Sequence, residues 1–313
     1  MPPATIRSTA AALAPALLAL AVAPAAAQLT DAPPDETTER LPRPSFSWRA
    51  ATLYNATAGI DTGGELSVLR INGGFDIRLP IDRRTRFRFN AETFQSFYDT
   101  NNVTGTLVPG RLSTPFDTVH EYDIYAGIES SISGDWSWYA GARISSGGES
   151  GADFNDTLTY GGLFGVRYQA TDTLAIGVGL NISTQLEDDV WIIPIPSIDW
   201  QIDEGVRLFT EFRRIGLGFQ LTDSLEIGAW GRFERHEFRL NDDPGTPEGV
   251  VRETRFPIGF FAEFQPATNI SIRAEMGGTA FGEFEIIDEN GDELFDTNID
   301  TSFALGLHLN VRF

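Results

Sequence analysis

The chain has no cysteine and no lysine, and beyond its first 27 residues it has no long uncharged apolar run. Without cysteine there is no disulfide, no thiol nucleophile, no thiolate metal centre and no cysteine-linked lipid anchor. Without a second long apolar run the mature chain has no transmembrane helix, so it can enter a membrane only as strands. Without lysine, 23 arginines face 44 acidic residues, and the formal charge of −21 disfavours nucleic acid as a partner. Histidine is scarce as well, with three in 313 residues.

What is present is ordered along the chain. Residues 1–27 carry one arginine, Arg7, an Ala- and Leu-rich stretch and then Ala25-Ala26-Ala27. That order is expected of a cleavable secretory signal peptide. Residues 28–46 are polar and Pro-rich, the composition of a disordered periplasmic tail. From residue 47 to residue 313 the sequence becomes a series of segments with period two, each with one apolar and one polar face. Leu69, Ile71, Phe75, Ile77 and Leu79 alternate with Arg70, Asn72, Asp76 and Arg78, and Phe87, Phe89 and Ala91 alternate with Arg86, Arg88, Asn90 and Glu92. No helical period competes over these stretches.

The links between segments alternate in length. Short turns at residues 82–84, 134–135, 171–173, 203–205, 222–224 and 266–269 are interleaved with longer polar links near 99–118, 146–156, 241–249 and 286–299. Short turns on one side and long loops on the other suit an all-β, transmembrane, antiparallel up-and-down β-barrel. The pattern predicts 14 strands, with 12 as the fallback, because Val206–Arg213 and Ile215–Leu221 leave almost no loop between them. Closure is required physically, since an open edge in hydrocarbon leaves backbone groups unpaired. A soluble β-sandwich is the alternative, but it would have to gather all these apolar faces into one oversized core. Trp136, Trp138, Trp191, Trp200, Phe97 and Tyr168 fall near strand boundaries, where interfacial anchors belong.

The chain closes on Leu307, Leu309, Val311 and Phe313, alternating with His308, Asn310 and Arg312. This resembles the terminal assembly signal of bacterial outer-membrane barrels and implies, as partners, the barrel-assembly machinery together with outer-membrane lipid and lipopolysaccharide. Pro194-Ile195-Pro196-Ser197-Ile198-Asp199-Trp200, with Val206-Arg207-Leu208 and Gly231-Arg232-Phe233-Glu234-Arg235, is similar to a family of secreted bacterial barrels of unknown function. The resemblance implies location and architecture and supplies no substrate or cofactor.

Function then resides in the lumen and the loops. The inward positions include Arg70, Arg78, Arg86, Arg88, Glu92, Glu129, Arg143, Arg167, Arg207, Glu211, Arg232, Glu234, Arg255, Glu263, Arg273 and Glu275. Charges of both signs on neighbouring strands suit a wet, selective pore. They suit equally an ion-pair network that fills the barrel, so the expectation is a passive or narrow-selectivity channel, with a closed structural or surface-interaction barrel as the alternative. An enzyme at the rim is disfavoured: His120, His236 and His308 lie on separate strands and no local spacing supplies a serine and an orienting group. Asp288, Asn290, Asp292 and Asp296 follow calcium-loop spacing, but Glu293 stands where the turn glycine belongs and Ile299 where the bidentate carboxylate belongs. A solvated acidic loop is therefore expected there, with no cofactor or metal.

Overall fold

The computed structural model describes residues 43–61, 63–101, 116, 118–132, 134–211, 213–241, 249–288 and 290–313. The leader over 1–27 and most of the tail over 28–46 fall outside the described residues, as do most of the links at 99–118 and 241–249. Alternation produces extended segments where the sequence places it: β1 (Ser45–Gly59), β2 (Glu65–Pro80), β3 (Thr85–Asn101), β4 (Thr118–Ser131), β5 (Trp136–Glu149), β6 (Leu158–Thr171), β7 (Leu174–Ser183) and β8 (Trp191–Asp203). There follow β9 (Val206–Glu211), β10 (Arg214–Thr222), β11 (Leu225–Arg232), β12 (Glu234–Arg239), β13 (Gly249–Ala267), β14 (Ile270–Asp288), β15 (Glu293–Ile299) and β16 (Ser302–Arg312). A 3-10 turn, Phe154–Thr157, interrupts the β5–β6 link.

These sixteen segments make fourteen wall strands. β11 and β12 both pair with β13 and are separated only by Phe233, while β15 and β16 both pair with β14 and are separated by Asp300 and Thr301. Every sequential neighbour is antiparallel, and β1 pairs with β16, for example Trp48 with Val311 and Thr52 with Leu307, which closes the sheet. An even count brings Ser45 and Phe313 to one end. There the Phe313 N–H donates to the Phe46 carbonyl at 2.8 Å, and the two rings pack in a tilted arrangement 5.6 Å apart. The six short turns read from the sequence all lie at this end, the turn end; the longer links lie at the other, the loop end. At the turn end Gly205 has φ of +81°, the left-handed conformation that lets β8 reverse directly into β9.

Outward faces are apolar and uncovered. Phe260 is 67% exposed, Leu307 54% and Val178 53%. In water such a continuous belt would be an aggregation surface, and a bilayer is the solvent that accommodates it. Trp136 packs against Tyr168 at 4.7 Å, the rings tilted, next to the turn end, where interfacial anchors belong. Trp191 differs from its expected role, because the parity of β8 turns it inward.

The segment 286–299, expected as a polar loop, is instead a hairpin: β14 continues to Asp288 and β15 pairs back along it, Glu283 opposite Asn298 and Ile286 opposite Phe295. The apolar residues inside that acidic stretch explain the difference, since Phe284, Ile286 and Ile299 are buried. They join Leu66, Val68, Tyr98, Phe116, Val119, Phe238 and Val251 in a hydrophobic core at the loop end, inside the ring of strands.

Candidate functional site

The lumen is two different materials. In its turn-end half the inward side chains are charged, paired and wet: Arg86 with Glu129 at 2.7 Å, Arg88 with Asp76 at 2.6 Å, Arg78 with Asp76 at 2.9 Å, and Arg207 and Arg167 with Asp199 at 2.8 and 3.2 Å. Arg86 is 54% exposed, and Arg207, Arg167 and Arg49 are close to half exposed. Deeper in, Arg273 bridges Glu263 at 2.6 Å and Glu211 at 3.7 Å. Arg214 pairs with Glu275 at 2.8 Å, which His308 also approaches at 3.3 Å. The Arg214 guanidinium lies over the rings of Trp230 and Phe261 at 5.3 and 5.4 Å.

Toward the loop end water is excluded. Glu253 is fully buried between Arg70 and Arg255, and the Tyr98 hydroxyl donates to it at 2.7 Å while Arg70 donates to Tyr98 at 3.2 Å. Above this cluster, Phe116 packs edge-on against Tyr98 at 4.7 Å and Phe238 at 5.3 Å, and meets Phe284 at 5.6 Å. Exposure thus falls from about half at Arg86 and Arg207 to 2% at Arg70 and Arg255.

The seal is made by β12. It keeps its pairing with β13 along its whole length, yet at its far end Arg239 also pairs in parallel with Gly148 of β5 across the lumen. Gly147 permits this approach: a Cβ there would lie 2.3 Å from the carbonyl oxygen of Glu237. The outer face of the leaning segment is covered by the β7–β8 link. Arg252 holds Asp188 and Glu237 at 3.0 Å and Glu285 at 2.8 Å, Glu237 accepts the Leu186 N–H at 3.2 Å, and Arg235 hydrogen-bonds Gln185. Under β12, His236 Nδ1 meets Glu121 at 2.8 Å. A cavity of about 110 Å³ remains between β12 and the wall of β4–β8, lined by Glu121, Asp123, Arg143, Arg213, Arg235 and Glu237 among others.

All sixteen charged positions read from the sequence as inward lie in these ion pairs; Glu92 joins Arg49, Arg143 joins Asp123 and Arg232 joins Glu234. Sequence reasoning did not single out Asp76, Asp123, Asp199, Arg214 and Glu253, although their parity already placed them on the same faces. It also missed a hydrogen bond between His120 Nε2 and Ser150 Oγ at 3.0 Å, brought together across the β4–β5 pair. Among the described residues no hydrogen bond to the other ring nitrogen is present.

The acidic link is a turn. Asp288 Oδ1 accepts the N–H groups of Asp292 at 2.9 Å and Asn290 at 2.8 Å, donors that hold its carboxyl below the usual range. Asp296 sits apart on β15 opposite Glu285. No group of three or more metal-ligating side chains converges among the described residues.

A family model described as a domain of unknown function, DUF6268, matches residues 47–313. The chain belongs to the DUF6268 family. No curated protein matches it. Among solved structures it is similar in fold to the COG4313 outer membrane channel from Pseudomonas putida F1, with a TM-score of 0.47 at 9% identity, over 90% of this chain and all of that one. A Pseudomonas aeruginosa FadL homologue gives a TM-score of 0.44 at 12% identity, covering 86% of this chain and 89% of its own. The KdgM porin gives 0.31 at 9% identity, over 86% and 99%.

Proposed function

We propose that this DUF6268 chain is a passive outer-membrane conduit for small solutes, delivered by a cleavable leader over residues 1–27 and inserted by barrel-assembly machinery that reads the strand ending at Phe313. The observation that carries the reading is the graded lumen, half-exposed Arg–carboxylate pairs at one end giving way to the buried Glu253 cluster at the other. A filled structural barrel would have no reason to keep charged side chains in solvent along half its length. The paired charges leave little net field inside, so discrimination by size is expected to exceed discrimination by charge sign. The role proposed is transport.

A second reading, a closed barrel that presents a binding surface, is favoured by one specific observation, the leaning β12 that seals the loop end. Swelling of vesicles containing the refolded protein, in neutral sugars of graded size, separates the two. Conduits admit the smallest sugar and slow steeply with size. A closed barrel gives the rates of protein-free vesicles for every sugar.

A further inference from the structure

The barrel wall is not equally tall all the way round. β8 has 13 residues, but its neighbour β9 has six and β10 has nine, and the hairpin they form pairs no further than Glu211 with Arg214. Beyond that level β8 and β12 face each other across two missing strand positions. Three strand spacings of about 4.8 Å put the base of this opening at roughly 14 Å between strand axes. It narrows toward the loop end, where the Arg235 guanidinium lies 4.1 Å over the Trp191 ring and Phe233 is 6.4 Å from it.

Three features show that β8 is built for an open edge. Its odd-numbered N–H groups point to β7, as the bond from Gln201 to the Thr173 carbonyl shows, so its even-numbered groups point into the opening. Ile198 is the last of these with a partner among the described residues: its N–H donates to Thr210 Oγ1 at 2.9 Å, and that hydroxyl donates to the Ile198 carbonyl at 3.3 Å. The next two donors along the edge would belong to residues 196 and 194, and both are proline. Proline has no N–H, so it leaves no orphan donor facing lipid and gives an incoming strand nothing to pair with. The inward face of β8 changes at the same level, from Gln201, Asp199 and Ser197 to Ile195, Ile193 and Trp191. Behind it, the cavity under β12 carries three cationic and three carboxylate side chains, Arg143, Arg213 and Arg235 against Glu121, Asp123 and Glu237.

We propose that this opening is a lateral portal through which neutral, membrane-partitioned molecules bearing a hydrogen-bond donor pass between the bilayer and the lumen. The balanced cavity offers an ion no net attraction, and Ile193, Ile195, Trp191 and Phe233 offer an apolar path. The carbonyls of Ile192, Pro194 and Pro196 point the same way as the even-numbered N–H groups, toward the opening, as acceptors for a hydroxyl. The proposal rests on the conduit reading for what lies beyond the cavity.

The absence of cysteine makes the test direct. Nitroxides attached to single-cysteine variants of the full chain in lipid vesicles report collisions with oxygen, which concentrates in lipid, and with a water-soluble nickel chelate. Lumen-facing Ile195→Cys is expected to match lipid-facing Ile192→Cys in oxygen collisions, and 1-naphthol is expected to lower that value several-fold while glucose leaves it unchanged. Ile193→Cys serves in the same way should the first variant not fold. An Ile195 label shielded from oxygen, or one indifferent to 1-naphthol, overturns the portal. Arg49→Cys, in the wet half, tests the underlying reading separately: a label there closed to the chelate refutes the conduit, while the Ile195 comparison still decides the portal.

Discussion

Glu253 is held out of water between Arg70 and Arg255, with Tyr98 as its hydroxyl donor. Glu253→Gln leaves two buried guanidinium groups without their counter-charge, and the expected loss is about 3–5 kcal/mol in urea unfolding of the refolded barrel. Arg86→Ala removes a pair whose arginine is more than half exposed, and the same measurement should change by about 0–1 kcal/mol. Equal losses would mean that water reaches both pairs alike. Asp82 at the turn end gives a pH test. The N–H groups of Arg84 and Thr85, at 2.7 and 2.8 Å, lower its carboxyl from the ordinary value. A carboxyl lowered by folding stabilises the fold above its unfolded value and loses that contribution as pH falls through the folded one. Asp82→Ala should therefore unfold more easily than the wild type at neutral pH, and the two midpoints should converge in acid. A difference that persists in acid would assign Asp82 a role unrelated to its charge.

At the scale of elements, strands and faces were legible because period-two alternation reports a lipid-facing and a lumen-facing side directly. All six short turns separate strands, and the inward arginines and glutamates meet one another across neighbouring strands as alternation requires. The lean of β12 was not legible, since it depends on Gly147 meeting Glu237 across the lumen, a contact between residues 90 positions apart in sequence. One signal was available: Phe238, Leu240, Val250 and Val251 are apolar residues beside a link expected to be polar, and all four are buried. The weak boundary between β9 and β10 was visible too, but as an ambiguity in strand count; pairing turns it into a short stretch of wall. Gly147→Val puts branched carbon where the Glu237 carbonyl lies, and overpacking forces one element to move. β5 is paired along its length with both β4 and β6, whereas β12 is laddered to β13 alone and meets β5 through one bridge, so β12 is the element expected to yield. The variant should show a single-channel conductance several-fold above wild type, whereas unchanged conductance in a folded variant would mean that β12 is not the seal.

For the whole molecule, closure and solvent decide the architecture together. Fourteen strands close on themselves through the β1–β16 pairing, and the outer belt is apolar where a soluble protein would be polar. Phe260→Arg, at a residue two-thirds exposed on the outer face, should cost about 2–4 kcal/mol if that face sits near the bilayer midplane. A soluble barrel would tolerate the change within about 0.5 kcal/mol. Folding titrations in lipid vesicles distinguish the two. The account depends most on a wet passage through the barrel, and single-channel recording of the refolded wild-type chain in planar bilayers tests it most directly. Discrete conductance steps with a reversal potential close to zero under a salt gradient are predicted, because the lumen charges are paired. A correctly folded, heat-modifiable barrel that inserts without any conductance step would contradict it.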